Sequence, residues 1–447
     1  MAMRDKEATF DALDTYERRE GRSDYLSRTK VLYYLVFADT VGALREASLQ
    51  ADANPSSTAA LALKGKVYEI MNLPDSARLV YEAAERLHPD NGAVKFELAR
   101  FYLALGDSAV YERKIEEALL CEDLEVEQKI GVLGDFMRSV DIKADSARID
   151  RLYDAMVQQY PHEPRLLQLS AAYNFAREKV DKAIEEIDYA IDLDPANEEY
   201  YAHKLMFDAY AERYADALAT YRRAETVLEP SWKLMELAGQ CAALIPDTTE
   251  AYRIYDDMLA LIDENLSARD TVVNERALHS LNLAAAEAAS QIFCSLGDML
   301  HLASDTTASY AKYDISLRIN PANPLALNNY AYFLATDGHR LEDALEMSGQ
   351  SLELVPESKT YLDTFAYILF RLGRPEEALE YQLQALGAAD ASDEQEAEFL
   401  EHLGDIYSAL GETDKALENW RKASGLDPDN TLLKKKIEQK RYIEPTD

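Results

Sequence analysis

Seven histidines and three cysteines are the residues of this 447-residue chain best suited to metal binding or nucleophilic chemistry. The histidines are His88, His162, His203, His279, His301, His339 and His402. The nearest two, His279 and His301, stand 22 positions apart, so no helix presents two imidazoles one turn apart to a metal. Cys121, Cys241 and Cys294 are odd in number and widely spaced, which argues against a disulfide framework and suits small buried apolar residues on helices. Zinc-protease, thiol-redox, nucleophile-elbow, phosphate-loop and dinucleotide-loop motifs do not occur. With 82 acidic residues, close carboxylate pairs arise by chance and mark no acid–base couple. The expectation is a protein with no catalytic residues, no metal and no cofactor. Recognition chemistry stands out instead in two stretches. LALNNYAYFLA carries Asn328, Asn329 and Tyr332, and YLDTFAYILFRLG carries Asp363, Thr364, Tyr367 and Phe370. An asparagine offers a donor and an acceptor together, which suits gripping an extended backbone. Tyrosines add contact area at low entropic cost.

Residues of this kind need rigid elements to hold them, and the composition says which. Hydrophobic residues make up 48% of the chain, while Gly (16) and Pro (14) are sparse, as long helices joined by short turns require. Against 82 Asp and Glu stand 47 Lys and Arg, a net charge of −35. Such a polyanion is a poor ligand for nucleic acid and is repelled by an anionic membrane surface. The acidic surface serves solubility, or it matches a partner with a basic face. No run of about 20 apolar residues occurs, so no membrane-spanning helix is expected. The N-terminal MAMRDKEATF has no apolar signal core. A leader absent from this sequence would place the protein in a bacterial periplasm or envelope; otherwise the cytoplasm is expected.

Internal repetition overrides length as a guide to domain number. Residues 397–430, AEFLEHLGDIYSALGETDKALENWRKASGLDPDN, set Leu400, Leu403, Gly404, Tyr407, Ala416, Trp420, Ala423 and Pro428 at positions 4, 7, 8, 11, 20, 24, 27 and 32 of a 34-residue frame. Leu400, Leu403 and Tyr407 form one apolar stripe at helical period. Ala416, Trp420 and Ala423 form its mate, with Gly411 at the turn between them. Small Gly404 and Ala416 allow close approach, and Pro428 stops the second helix. The frame slides upstream. Residues 58–91 fill it with Leu61, Gly65, Tyr68, Ala77, Tyr81, Ala84 and Pro89. Frames at 164–197, 198–231, 232–265, 290–323, 324–358 and 359–392 are also filled, that at 324–358 with one extra residue near Asp337–Gly338. Frames at 24–57, 92–125 and about 130–163 are weaker. In the second of these Tyr111 replaces the small residue at position 20, which predicts irregular packing.

These residues at these positions resemble the tetratricopeptide-repeat (TPR) family, in bacterial form, over about eleven units. The resemblance implies an all-α fold: a right-handed superhelical solenoid of antiparallel helix pairs. The expected organisation is a polar N-terminal segment or partial cap over 1–23, a first array of about seven units over 24–265, and a seam over 266–289. A second array of four units spans 290–430, and a basic capping helix and tail spans 431–447. The seam stretch RALHSLNLAAAEAASQIFCSLGDML reads as one long helix, with Asp270 and Asn274 as candidate caps; it is either an extended first helix or a hinge. The basic tail either caps the last repeat or docks an anionic partner.

The resemblance also implies a protein-binding scaffold whose first helices line a concave groove through positions 2, 5, 6, 9 and 12. The chaperone-binding carboxylate clamp of the family is not reproduced: Ala62 and Lys66, Phe96 and Arg100, then Gly134 and Arg138 stand there. Asn328, Asn329, Tyr332, Asp363, Thr364 and Tyr367 do occupy these positions in two successive units, with Asp298 and His301 before them and Glu401 and Asp405 after. The candidate peptide-binding groove is therefore Asp298, Asn328, Asn329, Tyr332, Asp363, Thr364, Tyr367 and Asp405. The alternative is that the asparagine pair bonds the adjacent turn and Tyr332 packs between helices. The expected partner is a protein or peptide with basic character, without nucleic acid and without membrane insertion. The chain is expected to be a monomer. An envelope lipoprotein assembly component and a self-associating structural solenoid are the alternative functions.

Overall fold

The computed structural model describes residues 6–137, 146–387 and 393–444. The chain divides into two compact units, Met1–Pro195 and Ala196–Asp447. Described residues of the first unit form α1 (Lys6–Glu20), α2 (Asp24–Val36), α3 (Thr40–Ala53), α4 (Thr58–Ile70), α5 (Pro74–Leu87), α6 (Gly92–Ala104), α7 (Ser108–Leu120), α8 (Val126–Met137), α9 (Ser146–Gln159), α10 (Pro164–Ala176) and α11 (Val180–Leu193). Those of the second form α12 (Glu198–Tyr210), α13 (Tyr214–Glu225), α14 (Trp232–Ala243), α15 (Thr249–Ile262), α16 (Glu275–Ser280), α17 (Leu283–Leu302), α18 (Thr306–Ile319), α19 (Pro324–Thr336), α20 (Leu341–Leu354), α21 (Lys359–Arg371), α22 (Pro375–Gly387), α23 (Asp393–Ala409), α24 (Thr413–Leu426) and α25 (Thr431–Gln439). No strand occurs among the described residues. The fold is an all-α solenoid of helix pairs. Among the described residues no helix is long and apolar enough to cross a membrane.

Three local devices write this pattern into the chain. The first is the cap. Asn91, Asn197, Asn323 and Asn430 each follow a proline by two residues, and each side-chain oxygen accepts from a backbone N–H of the helix that begins there. Proline ends one helix and asparagine starts the next. The second is the turn inside each pair. Gly106, Gly373 and Gly411 hold φ between +71° and +78°, and Ala38, Asn72, Glu178, Glu212 and Ser304 hold φ between +55° and +60° at the equivalent place. The repeat therefore imposes a left-handed residue there whether or not glycine is available. The unit with one extra residue meets the same demand twice, at Gly338 and Arg340.

The third device locks the pair. Gly65, Gly239, Gly297 and Gly404 lie directly beneath the rings of Tyr81, Tyr255, Tyr313 and Trp420. A methyl group on Gly239 or Gly297 would stand 2.9 Å from the nearest ring carbon. The ring at position 24 thus fills the space that the glycine at position 8 leaves. The rings of Tyr81, Tyr313 and Trp420 are fully buried. Where Tyr111 occupies the usually small position, it is buried in a cluster with Ala99, Ile115, Leu133 and Tyr153.

The stretch expected to form one long helix is broken. α16 ends at Ser280, Leu281 is extended, and the Asn282 side chain accepts from Ala285 N–H to start α17 afresh. Asparagine competes with the helix for its own backbone, which is why the break falls there. Asn274 does cap α16, accepting from Arg276 N–H at 3.0 Å. Asp270 caps no helix; its carboxylate accepts from Ser267 N–H at 2.9 Å. The seam residues 266–289 lie inside the second compact unit. Cys241 and Cys294 are buried, and burial pushes the Cys241 thiol up to about 11. Cys121 departs from the expectation: it is only half-buried, at the C-terminus of α7, with Sγ 3.1 Å from the Glu117 carbonyl. Near the chain ends, α1 buries no residue of its own but stacks Phe10 on Tyr34 at 4.0 Å, and α25 buries Leu433 and Lys436.

Candidate functional site

Positions 5, 6 and 9 of the first helices in the second unit carry polar and aromatic side chains, and most of these bond one another. Asp298 on α17 accepts from the Tyr313 hydroxyl and, at 3.1 Å, from Asn329 Nδ2 on α19. Asn329 in turn accepts from Asn328 Nδ2 at 3.2 Å. Asn328 is buried, and its carbonyl oxygen has no protein partner among the described residues. Burial raises the Asp298 pKa, against the lowering pull of the Tyr313 and Asn329 hydrogen bonds. The asparagine pair therefore bonds the preceding first helix, not the adjacent turn.

Asp363 on α21 is the centre of a second cluster. It is buried and accepts from Gln382 Nε2 on α22 at 2.5 Å. Its two oxygens lie 3.0 and 2.9 Å from His402 Nδ1 on α23. The His402 ring stacks on Tyr367 with centroids 4.6 Å apart. Burial alone would pull the His402 pKa down, but the Asp363 carboxylate, with Glu398 and Asp405 beyond it, outweighs burial and raises it to about 9. The imidazole is thus held as a cation between a carboxylate and a ring. Tyr332 on α19 reaches across to Glu398, donating its hydroxyl at 2.9 Å. Burial and the Glu398 carboxylate hold the Tyr332 phenol well above its usual pKa, so it stays a neutral donor. Thr364 is buried beside Asp363 in sequence.

Asp405 on α23 anchors a third cluster. It accepts from Trp420 Nε1 at 2.9 Å and from Lys436 Nζ at 2.6 Å. Lys436 also donates to Glu401 at 2.7 Å, and Asn430 Nδ2 donates to Glu401 at 3.0 Å. Burial raises the Asp405 pKa and Lys436 opposes it.

The second and third clusters face one cavity of about 360 Å³, lined by Tyr332, Thr336, Tyr367, Glu398, Glu401, His402, Asp405, Lys436 and Tyr442 among others. Of the eight residues expected to bind peptide, Tyr332, Tyr367 and Asp405 line it. Asp298, Asn328, Asn329, Asp363 and Thr364 do not, and Asn328, Asp363 and Thr364 are buried within the helix stack. Sequence reasoning missed Glu398, His402, Lys436 and Tyr442. A signal for two of them was present: Glu398 and His402 stand four apart, one helical turn, in a register where only histidine pairs had been weighed. With Asp363 they place three donor atoms within 4.8 Å of one another.

In the first unit the clamp positions lead elsewhere. Ala62, Phe96 and Gly134 line an open, largely apolar groove of about 870 Å³. Lys66 and Arg100 pair with Glu69 and Glu97 on their own helices. Arg138 lies outside the described residues.

Two TPR family models match the sequence, one over residues 361–391 and 397–430 and one over 63–110. No curated protein matches it. Among solved structures the chain is similar to the APC/C hetero-tetramer Cut9–Hcn1, at 12% identity with 96% of this chain and 85% of that chain covered and a TM-score of 0.42. It is also similar to a tetratricopeptide repeat protein from Parabacteroides merdae, at 14% identity with 62% of this chain and 98% of that chain covered and a TM-score of 0.44. The family matches at 63–110 and 397–430 fall on the units whose glycine–aromatic locks and proline–asparagine junctions were described above, and the chain carries tetratricopeptide repeats in both of its units.

Proposed function

We propose that this protein is a non-catalytic interaction scaffold whose second unit takes a cationic side chain of a partner's extended segment into the cavity between α19, α21, α23 and α25. The scaffold class follows from the repeats, which present rigid helix faces and little else. The cavity supports the finer reading. At about 360 Å³ it holds one or two side chains. Its lining is aromatic along Tyr332, Tyr367 and Tyr442 and acidic at Glu398, Glu401, Asp405 and Asp427, with Lys436 and His402 as the cations. Lys436 is already shared between Glu401 and Asp405, and His402 is paired with Asp363. Glu398 is exposed at the cavity wall, where it accepts from a neutral phenol and lies within 4.8 Å of the His402 imidazole. An arginine or lysine stem would lie along the tyrosine faces with its charge at Glu398.

The carrying observation is that pairing of an aromatic wall with an exposed carboxylate, in a cavity where four carboxylates outnumber two cations. The test is a positional-scanning peptide library read by fluorescence polarisation, with wild type beside Glu398→Gln. Enrichment of Arg or Lys at one position, lost in Glu398→Gln while circular dichroism is unchanged, supports the reading. No basic preference, or one indifferent to the substitution, removes it.

A further inference from the structure

Asp363, Glu398 and His402 sit where a peptide cavity meets the helix stack, and their arrangement has a meaning apart from peptides. Glu398 and His402 project from one face of α23, a turn apart, and Asp363 comes from the neighbouring first helix α21. Their donor atoms, one from each side chain, lie within 4.8 Å of one another. A four-coordinate ion with bonds of about 2.0–2.1 Å spaces its donors about 3.3 Å apart. The 2.9 Å contact between His402 Nδ1 and Asp363 would have to open by about 0.4 Å, and Glu398 would have to close in. Glu398 is exposed and can turn about its own side-chain bonds; Asp363 and His402 are buried and already oriented.

The surroundings are those of a supported ligand set. Gln382 Nε2 donates to Asp363 Oδ1 at 2.5 Å and to the Phe399 carbonyl at 2.9 Å, fixing the carboxylate, both of whose oxygens lie within 3.0 Å of His402 Nδ1. Tyr332 donates to Glu398 at 2.9 Å, orienting the second carboxylate. The Tyr367 ring stacked on His402 fixes the imidazole plane. Outer contacts of this kind are what hold metal ligands in place. The cavity of about 360 Å³, which Glu398 and His402 line, supplies an entry path. A net charge of −35 raises the local concentration of cations.

We propose that Asp363, Glu398 and His402 form a binding site for a divalent first-row transition-metal ion. Two carboxylates and one imidazole, whose imidazolium proton is released to solvent as the ion binds, match the donor preference of zinc, cobalt or manganese, whereas calcium and magnesium would take an all-oxygen set. Three protein ligands leave one position of a four-coordinate ion to water or to a group entering from the cavity. The site does not rest on the peptide reading. If both operate, ion and cationic side chain compete for Glu398, and the metal closes the cavity to a basic segment.

The experiment uses the full chain, without tag, equilibrated with Co²⁺ as a spectroscopic probe and with Zn²⁺ for stoichiometry by elemental analysis after dialysis. The variants are Glu398→Gln, His402→Gln and the control His339→Gln, whose side chain is exposed and remote in sequence. Wild type and His339→Gln are expected to bind about one ion per chain with the visible ligand-field bands of low-coordinate cobalt. Glu398→Gln and His402→Gln are expected to bind about tenfold or more weakly. Glu398→Gln alters an exposed side chain, so its loss of binding with unchanged circular dichroism cannot be ascribed to unfolding. Absence of stoichiometric metal in wild type, or equal binding by wild type and Glu398→Gln, overturns the proposal. A failure of peptide binding alone leaves this result untouched, since no peptide is present.

Discussion

Replacing Lys436 with Met tests whether the end of the second unit is held by charge or by apolar packing. Lys436 is 2% exposed, and its ammonium bridges Glu401 at 2.7 Å and Asp405 at 2.6 Å. Asp405 is itself 2% exposed and carries a second hydrogen bond from Trp420. Methionine keeps much of the length and removes the cation, leaving a buried carboxylate with one neutral donor. Breaking a buried pair in this way costs about 3–5 kcal/mol. Glu401 is only half-buried, so water recovers part of its share, and the lower end of that range is expected. The charge origin can be separated from packing. Burial already holds the Asp405 pKa above that of an unfolded aspartate, and losing Lys436 raises it further. A carboxyl with a raised folded pKa favours the folded state when protonated, below its unfolded pKa, and penalises it as pH rises through the folded value. The deficit of Lys436→Met should therefore be large at pH 7 and shrink toward pH 4, and Asp405→Asn in the same background should restore part of it at pH 7. The assay is urea unfolding followed by Trp420 fluorescence in a Trp232→Phe background, which reports this end of the unit directly. A loss below about 1 kcal/mol, or a loss equal at both pH values and unrelieved by Asp405→Asn, would refute the reasoning.

Three further outcomes are expected. Gly404→Ala drives a methyl group into the Trp420 indole and should cost about 1–3 kcal/mol, whereas Gly425→Ala, in open space near the end of α24, should be neutral or stabilising by up to about 1 kcal/mol; thermal unfolding of the two single variants compares them. Asn329→Ala removes the donor to Asp298 and the acceptor for Asn328, so it should lower stability by about 1–3 kcal/mol, measured by urea unfolding before any binding assay is interpreted. Because burial raises the folded pKa of Asp298, its ionisation penalises the fold as pH rises above the unfolded aspartate value; Asp298→Asn should narrow the stability difference between pH 4 and pH 7, read from melting curves at both.

The fold was legible because its instructions are local and repeated. A glycine under a ring, a proline two residues before a capping asparagine and a left-handed turn recur at one spacing, so each unit corroborates the others. The break at Leu281–Asn282 escaped because an alanine-rich run has the composition of a continuous helix, and one asparagine side chain ends it. The site was legible only in part. Positions 5, 6 and 9 do carry the second unit's polar and aromatic side chains, and Tyr332, Tyr367 and Asp405 do line its cavity. Sequence periodicity places a residue on a face but not against a partner. It could not tell that Asn329 turns to Asp298, that Asp363 turns to His402, or that a lysine of the terminal helix would be buried between two carboxylates.

Repeats built to one pattern have a hazard that the polar clusters answer. Their apolar faces are nearly interchangeable, so a folding helix pair could dock on the wrong neighbour with little loss of hydrophobic burial. The polar contacts differ at three junctions of the second unit: Asp298 meets Asn329, Asp363 meets His402, and Asp405 meets Lys436. A misdocked pair would bury a carboxylate without its donor, and an uncompensated buried charge costs several kcal/mol. These contacts need add little to the stability of the correct order; what they do is make every other order worse.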